Sequence, residues 1–152
     1  MFNAYNVALV LHSWIRWAAL VLGVAATLAS LTDRGASSHA DRWGFWFITV
    51  LDIQMLLGLT LYFLLSPVTA KALSDFPAAM HVDSLRFFAV DHAATMFLAL
   101  AIAHVGRVLG RKARSPHSKR LRQSVCFGIA TLAMIAAIPW PGMANGRPLF
   151  RL

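Results

Sequence analysis

Four apolar runs of helix length divide the chain: Val7 to Leu31, Trp43 to Leu65, Leu85 to Gly106 and Ser124 to Trp140. A helix needs about 20 mostly apolar residues to cross the hydrocarbon core of a bilayer. The pattern therefore predicts four spans joined by three short loops and followed by a short tail. Stretches such as Ala18 to Ala26 lack the apolar–polar alternation of barrel strands. The expected fold class is all-α, an integral membrane four-helix up-down bundle forming one domain over residues 1–152. Met1 to Leu11 carries no positive charge ahead of its apolar core, unlike a signal peptide, so the first segment is expected to be a retained helix.

Within the runs, small residues recur at helical spacing. His12, Arg16, Ala19, Gly23, Ala26 and Ser30 follow one another in steps of four and three, and His92 continues in the same way through Thr95, Ala99 and Ala103. Seams of small residues let membrane helices approach closely, so both histidines are expected to face the bundle interior.

The loops are read from turn formers and prolines. Thr32 to Arg42 reads as a connector, and Ser66 to Ser84 is long enough to hold a short surface helix. Ile138 to Gly142, Ile-Pro-Trp-Pro-Gly, stops the fourth helix because proline cannot donate a backbone hydrogen bond. Trp14, Trp17, Tyr62 and Trp140 at one level and Trp43 and Trp46 at the other are expected as interfacial anchors.

Composition agrees with lipid as the solvent, since 59% of the residues are hydrophobic and only 13% are charged, against roughly half and a quarter in soluble domains. The formal charge of +8 would suggest nucleic acid in a soluble protein. Here the cations are sorted by side. Arg34 and Arg42 with Arg107, Arg111, Lys112, Arg114, Lys119, Arg120 and Arg122 occupy the first and third loops, against Lys71, Arg86, Arg147 and Arg151 on the other side. The positive-inside rule then places both termini on the non-cytoplasmic side. The multi-pass topology points to a bacterial inner membrane, with the basic cluster against anionic lipid and no nucleic-acid partner. The single cysteine, Cys126, offers neither an internal disulfide nor a redox motif.

Ionisable and polar residues inside spans are costly and are the first places to look for function. They are His12 and Arg16 on the first helix, Asp52 and Gln54 on the second, and Asp91, His92 and His104 on the third. His12 and His92 are expected at a similar depth on parallel, diagonally opposed helices, an arrangement that suits two axial ligands of one haem. Structural hydrogen bonding across the bundle, another metal or a quinone site are the alternatives. Arg16 and Arg86 are candidate partners for a haem propionate or a quinone carbonyl; the alternatives for both are an internal salt bridge, Arg16 with Asp52 or Asp91, or snorkelling to the interface.

Leu-His-Ser-x-x-Arg-Trp at Leu11 to Trp17, Gln-x-x-x-Gly-x-x-x-Tyr at Gln54 to Tyr62, Asp-His-x-x-x-Met at Asp91 to Met96, His-x-Gly-Arg at His104 to Arg107 and Ile-Pro-Trp-Pro at Ile138 to Pro141 form a set. Together they resemble the small four-helix bacterial membrane proteins catalogued as cytochrome b-like. The resemblance covers nearly the whole chain and implies haem. Di-haem cytochromes b carry two histidines about 13 or 14 residues apart on each of two helices. In this chain His104 is 12 residues beyond His92, which at about 100° per residue turns it roughly 120° away. At most one haem b is therefore expected, held by His12 and His92, with His104 left for a hydrogen bond to Gln54 or a proton relay.

These readings make the chain an electron-transfer protein exchanging electrons with quinol or a larger membrane redox complex, with room for homo-oligomers. Its alternatives are a haem-free accessory subunit of a respiratory or photosynthetic complex, and a proton or solute pathway along Asp91, His92, Asp52, Gln54 and His104. No oriented nucleophile, phosphate loop or catalytic dyad stands out in the sequence.

Overall fold

The computed structural model describes residues 3–32 and 39–151. The described residues are helical without any strand. In chain order they form α1 (Ala4–Thr32), α2 (His39–Thr60) running into a π-helical turn (Leu61–Leu65), α3 (Pro67–Ser74), α4 (Phe76–Ala79), α5 (Asp83–Arg86), a second π-helical turn (Phe87–Asp91), α6 (His92–Arg111) and α7 (Pro116–Ala136). Among the described residues three stretches are long and apolar enough to cross a membrane: Ala4–Thr32, His39–Leu65 and Asp83–Arg111.

α7 departs from its apolar boundaries for a local reason. α7 starts at Pro116 rather than Ser124, because the Ser115 hydroxyl accepts the Ser118 N–H at 3.2 Å and Pro116 occupies the first turn. Hydrophobicity marks where a helix meets an apolar environment, whereas caps mark where it begins. The same helix ends at Ala136, short of Trp140, ahead of Pro139. The loop from Ser66 to Ser84 holds α3, α4 and the start of α5, with Ser66 and Asp75 capping the first two. The predicted first connector lies partly outside the described residues, and from His39 onward it is already α2.

The long helices α1, α2, α6 and α7 pack in a ring, α1 against α2 and α7, and α6 against α7 and α2, so α1 and α6 face each other diagonally. The interior is lined by small residues. Ala19, Ala26, Ala40, Ala99, Ala103 and Ala130 are completely buried, as is Ser30, while Leu56, Phe63, Leu64, Phe97 and Leu132 stand outside. Phe47, Leu51, Phe127 and Ile138 are buried among them, and the many large apolar side chains turned outward suit lipid as the solvent. The seam residues Ala19, Gly23, Ala26, Ser30, Ala99 and Ala103 are all buried, as the spacing predicts.

The closest approach is between α6 and α7, where a Cβ on Gly106 would run into Cys126 Cβ. Gly106→Val is expected to lower stability by about 1–3 kcal/mol through overpacking. Gly128→Ala, whose Cβ would make ordinary contact with Thr27 at 3.6 Å, serves as the near-neutral control. Thermal unfolding in detergent reads both.

Asp41 gathers the basic end of the bundle. Its carboxylate accepts from Lys119 Nζ at 2.6 Å and from Gln123 Nε2 at 3.2 Å, and its carbonyl accepts from Arg107 at 3.4 Å. Two members of the basic cluster therefore tie α2, α6 and α7 together.

Candidate functional site

At the opposite end, His12 of α1 and His92 of α6 meet across the diagonal. Their ring centroids are 6.4 Å apart and their planes cross at 68°. They border a cavity of about 400 Å³, within the range of sites that hold small ligands and cofactors. α2 contributes Gln54, Met55 and Gly58 to its wall, α6 adds Met96 and Phe97, and Met134 and Ile138 close it from the α7 side.

His92 is held by a helix end. Pro139 stops α7 early, which leaves the Ala137 carbonyl without an intrahelical partner. That carbonyl lies 2.8 Å from His92 Nδ1. A proton on Nδ1 satisfies the contact and leaves the Nε2 lone pair free, the second-shell arrangement typical of a metal-bound imidazole. Around His12 the partners differ. Its backbone carbonyl accepts from Gln54 Nε2 at 2.9 Å, whereas its Nδ1 is buried with no hydrogen-bond partner. Gly58 gives its ring room, since a Cβ there would lie 3.4 Å from His12 Cε1. Gly58→Ala should be tolerated and Gly58→Val should displace the imidazole, which a change in the absorption of any bound chromophore would report.

Both π-helical turns flank this site, and such turns are frequent at functional positions because they release backbone groups from the regular ladder. The Ala89 carbonyl in the second turn accepts from the Tyr62 hydroxyl in the first at 2.9 Å, and Thr69 of α3 donates to the Tyr62 carbonyl at 2.7 Å. These bonds fix the start of α6, and with it His92.

The tail, read from the sequence as a simple terminus, completes the site. Gly142, with φ +90°, reverses the chain after α7; only glycine adopts that conformation readily. The Arg147 N–H donates to the Pro139 carbonyl at 3.0 Å. The Leu149 carbonyl accepts from Arg16 at 2.7 Å and from Trp17 Nε1 at 3.1 Å, and the Arg151 carbonyl accepts from Trp14 Nε1 at 2.9 Å. Phe150 packs against both indoles, at 5.4 Å from Trp14 and 5.5 Å from Trp17. Trp14 and Trp17 thus fasten the tail, a role beyond the interfacial anchoring expected of them. Arg147 also stacks over Phe88 at 5.1 Å.

Three arginines, Arg16, Arg147 and Arg151, consequently line the cavity, and no aspartate or glutamate does so among the described residues. The Arg16 Nε is buried without a partner. A half-enclosed site with three cations and no anion is electrostatically incomplete, and it suits a ligand carrying negative charge.

The remaining sequence candidates lie elsewhere. Arg86 does not line the cavity; it pairs with Asp83 at 3.2 Å and Asp91 at 3.6 Å on the rim. Arg16 bonds the tail instead of Asp52 or Asp91. His104 bonds Asp52 at 2.9 Å rather than Gln54, which is engaged by His12. A search among family models, curated proteins and solved structures finds no match to this chain.

Proposed function

We propose that this protein is a mono-haem b-type membrane cytochrome in which His12 and His92 are the axial ligands, serving electron exchange with quinol or a partner complex. The carrying observation is the imidazole pair. The separation suits two imidazoles that would hold one metal ion between them, each through a bond of about 2.0 Å, since their ring centres lie 6.4 Å apart. The described residues contain no group of three or more His, Cys, Asp or Glu to hold a bare metal ion, whereas a porphyrin iron asks the protein for only two ligands.

The other residues fit the same group. Leu20, Leu51, Met55, Met96 and Met134 give the cavity apolar walls, suited to a flat macrocycle. Arg16, Arg147 and Arg151 stand where carboxylate side arms would be neutralised, by charge-assisted hydrogen bonds of the stronger kind. When bound, the haem would supply reversible one-electron chemistry. The Ala137 carbonyl sets the tautomer and orientation of His92, Gln54 anchors the backbone of His12, and the folded-back tail excludes water from the mouth. Low dielectric and two neutral nitrogen ligands are the levers by which this chain would set the potential.

In this reading α7 is a fourth span despite its polar first turns, because it packs lengthwise against both α1 and α6. The charge sorting then puts the Asp41 end in the cytoplasm and the histidine end outside, in a bacterial inner membrane. The test is the dithionite-reduced minus oxidised spectrum of the purified protein. A b-type α-band with one haem per chain is expected; a colourless, folded protein that takes up no added haem would overturn the proposal.

A further inference from the structure

One polar pair takes no part in the cavity. His104 of α6 and Asp52 of α2 are hydrogen-bonded at 2.9 Å, and their side chains are 47% and 46% exposed on the outside of the bundle. Both lie within stretches apolar enough to cross a membrane. Ile53, Leu56, Val105 and Val108, beside them on the same helices, are exposed too. Ionisable groups at such positions normally turn inward.

The capacity left unfilled is of one kind. With Nε2–H donating to Asp52, the imidazole keeps the lone pair on Nδ1 and the carboxylate keeps its second oxygen. Neither atom has a partner among the described residues. Both are acceptors, and hydrocarbon offers no water to serve them. What fills this place must bring an O–H or N–H donor on an apolar body. Phospholipid esters and phosphodiesters only accept, and headgroup ammonium and hydroxyl donors stay at the bilayer surface, whereas Asp52 lies midway along its apolar stretch.

The seam itself leads there. Of the four neighbouring helix pairs, α2 and α6 are the least closely packed. Met55 and Leu59 of α2 and Met96 and Phe97 of α6, farther along this seam, line the histidine cavity. An apolar molecule entering laterally between α2 and α6 would thus have the polar pair at one end of its path and the cavity wall at the other.

We infer that Asp52 and His104 form the headgroup site of a lipid-soluble hydroquinone. The phenolic O–H donates to His104 Nδ1, and Asp52 holds the imidazole with that nitrogen presented, as a carboxylate orients a histidine base elsewhere. The choice of a hydroquinone among apolar donors rests on the electron-transfer reading above.

Calorimetric titration of the protein in lipid nanodiscs tests this, using a decyl-substituted benzohydroquinone and its di-O-methyl ether as probes. The expected result is saturable binding of the hydroquinone, about tenfold or more tighter than the ether that has lost its donors. That preference should vanish in His104→Phe and in Asp52→Leu, each checked for native helicity by circular dichroism. If His104→Phe fails to fold, His104→Leu, which also lacks an acceptor, should show the same loss. Equal binding of the two probes, or a preference that survives in the folded variants, would overturn the assignment. So would a finding that the substitutions change only the association of one copy with another. The two readings fail separately. A haem-free chain that still prefers the hydroquinone overturns the cytochrome proposal alone, and a haem-loaded chain without the preference overturns this site alone.

Discussion

Replacing either His12 or His92 by alanine is expected to abolish the six-coordinate low-spin haem spectrum and to weaken haem binding by more than about 10–100-fold, the loss typical when only a ligand's supporting partner is removed. The two substitutions should fail in related but distinguishable ways. His92 is oriented by the Ala137 carbonyl at 2.8 Å, so His12→Ala leaves one well-held ligand and a five-coordinate iron. His12 has a buried Nδ1 without a partner, so His92→Ala removes the better-fixed ligand and should cost more affinity. Free imidazole should restore the low-spin spectrum in both variants, because each leaves a ring-sized space. Restoration separates loss of a ligand from loss of the fold. Optical titration with haem, with and without imidazole, measures all of this. A low-spin spectrum unchanged in either variant would show that the histidine concerned is not a ligand.

The second large effect belongs to the tail. Arg147→Ala combined with Arg151→Ala is expected to weaken haem binding by about 100-fold or more, since hydrogen bonds to charged groups contribute roughly 1.5–3 kcal/mol each and every 1.4 kcal/mol is tenfold. The loss should depend on the haem carboxylates. The native protein is expected to bind haem more tightly than its dimethyl ester, and the double variant to lose most of that preference, keeping only the share due to Arg16. Arg86→Ala should leave this discrimination intact, because Arg86 is occupied by Asp83 and Asp91 outside the cavity. An intact preference for the free acid in the double variant would remove the tail from the site.

Much of the architecture was legible in the chain, and for identifiable reasons. Helical recurrence of small residues located the buried seams of α1 and α6, and those seams carried His12 and His92 to facing positions. The 12-residue step from His92 also foretold that His104 would turn away, and it stands on the outer surface. Other features left no periodic trace. The π-helical turns at Leu61–Leu65 and Phe87–Asp91 each add a residue to a turn, which a 3.6-residue pattern cannot register.

Arg86 forms the kind of internal salt bridge that its charge suggested, with Asp83 and Asp91, but the partner of Arg16 was missed because pairing was sought among charged side chains, whereas it found the carbonyl of Leu149 in an irregular segment far along the chain. The tail's role was the least visible. Its signal was local and chemical: a glycine able to reverse the chain after two prolines, then two arginines flanking Pro148 and Phe150. That combination suits a segment packed back onto aromatic and cationic groups better than it suits a solvated end.

Electron paramagnetic resonance of the oxidised, purified protein at low temperature tests the central claim most directly. Imidazole planes crossed at 68° predict one low-spin ferric centre per chain, with the large g-anisotropy of strongly twisted axial ligands. A high-spin signal, or no ferric centre after exposure to haem, would contradict the account.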